Sequence, residues 1–99
     1  MLQKFRTYQM ALSLHRECEK LRVASYLKDQ FLRASSSVVL NLAEGSAKPT
    51  VKDRAKFYRI ALGSFREVQA VLDIAGNESL RARADAVGAS LYSLCRSCA

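Results

Sequence analysis

The chain has 99 residues, 49% of them hydrophobic and 25% charged, with a net charge of +7 and a pI near 9.7. That length suits a single domain with a modest core. No uninterrupted apolar run approaches the roughly 20 residues of a membrane span, and Met1–Arg6 leads into no apolar segment of signal-peptide type. The three cysteines, Cys18, Cys95 and Cys98, make an odd count that argues against a disulfide framework and fits a reducing, cytoplasmic setting. One Pro, four Gly and no Trp leave few breakers, which favours long helices over many short strands. A basic excess of this size favours contact with polyanions, chiefly nucleic acid. The alternative is charge that serves solubility alone.

Four segments carry helical periodicity. The first runs from about Lys4 to Leu21, with Met10, Ala11, Leu14, Cys18 and Leu21 on one face and Phe5, Tyr8 and Leu12 widening it. The second runs from Ser25 or Tyr26 to Glu44, lined by Leu27, Phe31, Leu32, Ala34, Val38, Val39 and Leu42. Its weak point is Ser35-Ser36-Ser37 before Val38-Val39, residues that each lower helix propensity by a few tenths of a kcal/mol. A strand is the alternative there, but the chain offers it no partner. The small serines also admit a close neighbouring helix. Gly45 is read as a left-handed terminator of this helix.

Ser46–Pro49 is the clear loop, and Thr50-Val51-Lys52-Asp53 has the form of an N-cap with an acid at the third position. The third helix spans Val51 to Ala75. Tyr58, Ala61, Phe65, Val68, Leu72 and Ala75 make one seam, and Phe57, Ile60, Ser64, Val71 and Ile74 make a second beside it. Two seams require burial on more than one side, either centrally in a bundle or against another subunit. Gly76-Asn77 supplies a terminator and an N-cap for a fourth helix to about Arg96, with Leu80, Ala84, Val87, Leu91, Leu94 and Cys98 in register. Short connections around the third helix predict antiparallel neighbours, and hence an all-α, up-down four-helix bundle comprising the whole of residues 1–99.

Two elements point to a family. Leu27–Ala34 leads into Asn41-Leu42-Ala43-Glu44-Gly45, and about a dozen residues later comes Phe57-Tyr58-Arg59-Ile60-Ala61-Leu62-Gly63-Ser64-Phe65-Arg66-Glu67. Over Leu27–Asp73 the chain resembles the bacterial four-helix-bundle proteins encoded in intervening sequences of 23S rRNA genes. Tyr8 stands where that family usually carries an early aromatic. The resemblance implies a homo-oligomeric ring, typically pentameric, with no enzyme activity, and no cofactor is expected. Relatives of similar fold, the accessory proteins of diversity-generating retroelements, serve a reverse transcriptase and suggest both nucleic-acid and protein partners.

The candidate site follows from charge. Between Ser46 and Arg59, Lys48, Lys52, Arg54, Lys56 and Arg59 face Asp53 alone, a local net of +4. Lys52, Lys56, Arg59 and Arg66 share one helical stripe that also contains Gly63. Lys48, Lys52, Lys56, Arg59 and Arg66 are therefore the expected phosphate contacts for an RNA or DNA backbone, multiplied by copies around a ring. The competing reading is an ordinary solvated face. Asn41, Glu44, Ser64 and Glu67, with Arg33, are expected to form a structural polar cluster that fixes helix register. A di-metal bundle requires Glu-x-x-His motifs from two helices, and His15 is the sole histidine, so neither a metal centre nor a catalytic group is expected. Cys95-x-x-Cys98 lacks the strand–helix context of a redox motif. Tyr26, Tyr58 and Tyr92 are expected to bridge core and solvent rather than to stack bases.

Overall fold

Each apolar stripe becomes one wall of a shared core. The computed structural model describes residues 2–98, which form α1 (Leu2–Lys20), α2 (Ser25–Ser46), α3 (Val51–Ala75) and α4 (Glu78–Ser97), with no strand among them. α1 packs on α2 and α4, and α3 packs on the same two, while the diagonal pairs do not pack. The result is a rod of 40 × 21 × 18 Å. Its axis is filled by Leu14, Cys18, Phe31, Val38, Leu42, Tyr58, Phe65, Val68, Leu72 and Leu91.

The serine run is helical because every hydroxyl finds a partner. Ser35 Oγ donates to the Leu32 carbonyl and meets His15 of α1, Ser36 Oγ donates to the Arg33 carbonyl, and Ser37 meets Ser64 of α3. Back-bonding of this kind removes the advantage of leaving the helix. Ser35 and Thr7 are buried, two polar members of the core that apolar periodicity does not mark. Thr7 Oγ1 donates to the Gln3 carbonyl and meets Ser90 of α4 at 2.6 Å. No buried side-chain nitrogen or oxygen among the described residues lacks a partner.

Three of the expected helix boundaries hold. Thr50 Oγ1 accepts from Asp53 N at the start of α3, and Asn77 Oδ1 accepts from Leu80 N at the start of α4. Gly76 takes φ +72°, and the amide nitrogens of Gly76 and Asn77 both donate to the Leu72 carbonyl, closing α3. Gly45, by contrast, does not terminate α2. It is buried inside a helix that continues to Ser46, and its role is close approach: a β-carbon there would meet the Tyr58 ring at 2.8 Å. The widened faces also need correcting. Phe5 is 64% exposed, and in the second α3 seam Ile60 is 43% and Ile74 63% exposed while Val71 joins the core. Tyr58 lies wholly inside rather than bridging to solvent, its hydroxyl 3.3 Å from Ser46 Oγ.

Candidate nucleic-acid interface

α3 is held by one face and displays the other. Ala55, Tyr58, Ala61, Phe65, Val68 and Leu72 are buried, so the residues between them on the far side of the 3.6-residue period must face out. Lys52, Lys56, Arg59 and Arg66 are all exposed, and none joins an ion pair among the described residues. Gly63 lies in the same stripe, and nothing stands within 4 Å of where its β-carbon would be.

The α2–α3 loop adds a second group of cations. Lys48 Nζ pairs with Glu44 at 3.1 Å and stands 5.2 Å from the Phe57 ring centroid, while Lys56 Nζ stands 5.9 Å from the same ring. Phe57 thus lies near two ammonium groups and favours both through its negative ring face. Arg54 Nη1 donates to the carbonyls of Lys48 and Pro49 and braces the loop. Of the expected phosphate contacts, Lys48 alone already has an acidic partner among the described residues.

Charge is uneven along the rod. Lys4 of α1 shares one groove with Ala43 and Ser46 of α2, and another with Arg54 of α3 and Ser97 of α4, so these four helix ends meet. The half of the rod at that end holds Lys4, Arg6, Lys48, Lys52, Arg54, Lys56, Arg59 and Arg96 against Glu44 and Asp53, which is six of the net seven positive charges. The other half balances eight cations against seven acids. There Arg33 pairs with Asp29, Arg83 with Glu17, and Arg81 with Asp73 and Asp85. Lys4, Arg6 and Arg96 belong to the basic end but lie outside the loop and the α3 stripe, so the local charge count did not reach them. Chain folding brings them there, with only the total of +7 as a forewarning.

The polar residues of the family-like elements divide. Ser64 Oγ meets Ser37 Oγ at 2.8 Å, and Asn41 Nδ2 donates to the Ser37 carbonyl and hydroxyl at 2.9 and 3.0 Å, tying α2 to α3. Glu67 accepts from Gln30 Nε2 at 3.2 Å. Arg33 lines the same shallow pocket as Ser64 and Glu67, but its guanidinium reaches Asp29 at 3.1 Å. Glu44 lies apart, on Lys48.

His15 Nδ1 is 2.6 Å from Ser35 Oγ, and its Nε2 is 3.7 Å from Glu19. Ser35 is only 2% exposed, so no substrate reaches its hydroxyl. Burial pushes the Cys18 thiol up to about 11, away from nucleophilic use. Burial also raises the Cys95 thiol, which the nearby Cys98 reinforces and Arg59 and Arg66 oppose. No group of three or more His, Cys, Asp or Glu among the described residues is placed to hold a metal ion. No helix of the structure is long and apolar enough to cross a membrane.

Compared with protein-family models, residues 3–97 match the one described as 23S rRNA-intervening sequence protein. The comparisons with curated proteins and with solved structures gave no match.

Proposed function

We propose, from the premise that this chain belongs to the 23S rRNA-intervening sequence protein family, that it is a non-enzymatic cytoplasmic protein that binds the backbone of RNA or DNA. The observation that carries this reading is the unpaired stripe of Lys52, Lys56, Arg59 and Arg66 within a rod whose net charge gathers at one end. Solubility alone asks for charge dispersed over the surface, as in the other half of the rod, where arginines meet acids. Exposed cations without acidic partners are available to neutralise phosphates, which releases the counterions condensed on a nucleic acid. The stripe carries no base-reading pattern, so binding is loosely specific.

The bundle is antiparallel and up-down in this reading. Between α1 and α4, Gln3 meets Ser93, Thr7 meets Ser90 and Glu17 meets Arg83. Between α2 and α3, Gln30 meets Glu67, Ser37 meets Ser64 and Ser46 meets Tyr58. One number falls as the other rises in both series. Assembly into a homo-oligomeric ring, of five subunits as the resemblance implies, draws support from the exposed Phe5, Leu40, Ile60 and Ile74. A second reading, a scaffold that docks a protein such as a reverse transcriptase, draws on the apolar groove lined by Phe5, Tyr8 and Ala43.

The test is fluorescence anisotropy of a labelled structured RNA and a matched duplex DNA over a salt series. The control is a K52E/K56E/R59E variant that keeps its fold and its assembly state. The expected result is binding that weakens steeply with salt and is lost in the variant. Absence of binding to either probe at low salt overturns the reading. A protein partner captured after nuclease treatment favours the scaffold.

A further inference from the structure

Tyr92 is 54% exposed on α4, and Arg96, one turn later, lies 5.9 Å from its ring centroid. Its position follows from the contacts along the same edge of α4. Arg81 bonds Asp73 of α3, and Gly88 lies against the Phe65 ring of α3. Positions 81, 85, 88, 92 and 95 are spaced by four, three, four and three, one edge of a helix. Tyr92 therefore emerges along the border with α3. The descending pairs 81 with 73 and 88 with 65 set it level with α3 at about position 61 or 62, near Gly63 at the ~1.5 Å rise per residue of a helix. Arg59 and Arg66 flank that level, and both act electrostatically on Cys95, the next member of the edge.

Four features share this level of the α3–α4 face: an exposed aromatic ring, a cation beside it, an open glycine on the neighbouring helix, and on either side of the glycine an arginine with no ion pair among the described residues. Lysines and arginines alone would suit any polyanion. An exposed phenol next to an open glycine adds a flat apolar surface with room above it, which a nucleobase fills only if it is free of its own stack. A duplex keeps its bases inside and meets only the charges. Arg59 and Arg66 are about 10 Å apart along the helix axis, the length of about three stacked nucleotides at ~3.4 Å per step.

We propose that Tyr92, above the open surface at Gly63, is a base-stacking subsite, so that the basic α3–α4 face takes single-stranded RNA or DNA in preference to duplex. This rests on the reading of the basic stripe as a nucleic-acid interface. Arg59 and Arg66 hold the phosphates on either side of the stacked base, and Arg96 restrains the phenol ring.

The test uses the full chain and three labelled probes of equal phosphate number: oligo(U), oligo(dT) and a hairpin duplex. Wild type is expected to bind both single strands more tightly than the duplex. Tyr92→Ala is expected to weaken single-strand binding about tenfold, within the range for loss of one stacked base, and to leave duplex binding within about twofold. Tyr92→Phe keeps the ring and the preference. Gly63→Leu, whose β-carbon would stand in open space, is expected to block single strands without unfolding the helix. Equal binding of the three probes, unmoved by Tyr92→Ala, overturns the subsite while leaving the basic face standing. A failure of wild type to bind any probe at low salt overturns both. Binding of one single strand alone supports the subsite and shows which of the two strands the face accepts.

Discussion

Gly45 and Tyr58 approach so closely that residue 45 has no room for a side chain: a β-carbon would stand 2.8 Å from Cε1 of the ring and 3.0 Å from Phe57 Cβ. Gly88 repeats the relationship against Phe65, at 2.6 Å. Alanine favours a helix over glycine by about 1 kcal/mol, so propensity and packing oppose one another. Packing wins here, because an aromatic ring in a filled core cannot swing aside. Gly45→Ala and Gly88→Ala are each expected to lower stability by about 1–3 kcal/mol. Gly63→Ala, in open space, is expected to raise it by about 0.5–1 kcal/mol. Thermal melting of the three variants reads the contrast, and a stabilised Gly45→Ala would contradict the packing.

Helix ends give a second set. Thr50→Ala and Asn77→Ala each remove an oxygen that accepts from a first-turn amide, and each should lower stability by about 1 kcal/mol. Gly76→Ala forces a β-carbon onto a residue at φ +72°, at a cost of about 1–2 kcal/mol. Denaturant midpoints should fall with unchanged slope. A Gly76→Ala variant as stable as the parent would remove the left-handed turn from the account.

Cys18 makes stability fall at alkaline pH. Burial raises its folded pKa from 9.0 to about 11, so the folded chain holds the thiol proton after the unfolded chain has released it. This contribution is fully present below pH 9 and is lost as pH climbs from 9 to about 11. Unfolding measured across that window should show a decline that Cys18→Ala flattens. Thiol labelling at neutral pH should modify Cys18 only on unfolding, and rapid labelling in the native state would overturn the assignment.

The tautomer of His15 is coupled to the hydroxyl of Ser35. Ser35 has one hydroxyl proton, and when the Leu32 carbonyl at 3.2 Å takes it, the 2.6 Å contact with Nδ1 has that ring nitrogen as the donor. Nitrogen chemical shifts of neutral His15 are expected to show the Nδ1–H form. Observation of the Nε2–H form would mean that Ser35 has abandoned Leu32.

Much of this was legible beforehand. Phe31, Val38, Leu42, Phe65, Val68, Leu72 and Leu91 repeat at helical spacing and lie in the core, because burial selects for a periodic pattern. Thr50, Gly76 and Asn77 were readable because caps need particular side chains. Gly45 misled because glycine ends helices and also admits neighbouring aromatics, and only the partner's position separates the two. Ser35 and Thr7 were hidden in the core by polarity, and His15 and Ser90 explain their presence. At the candidate site, the stripe from Lys52 to Arg66 is local and therefore visible. Tyr92 and Arg96 come beside it only through the packing of α4 on α3, which no local spacing encodes.

The lopsided charge makes this molecule a permanent dipole, near-neutral at one pole. Copies laid side by side in the same sense bring their positive poles together, and at physiological salt that repulsion is felt over about 8 Å. Neighbours in a parallel assembly therefore work against their own field until something anionic bridges them. By reciprocity, whatever factor assembly adds to polyanion affinity, the polyanion returns to assembly. Where copies assemble in that sense and take a polyanion, as proposed above, subunit exchange should accordingly slow when a long polyanion is added and quicken when it is digested.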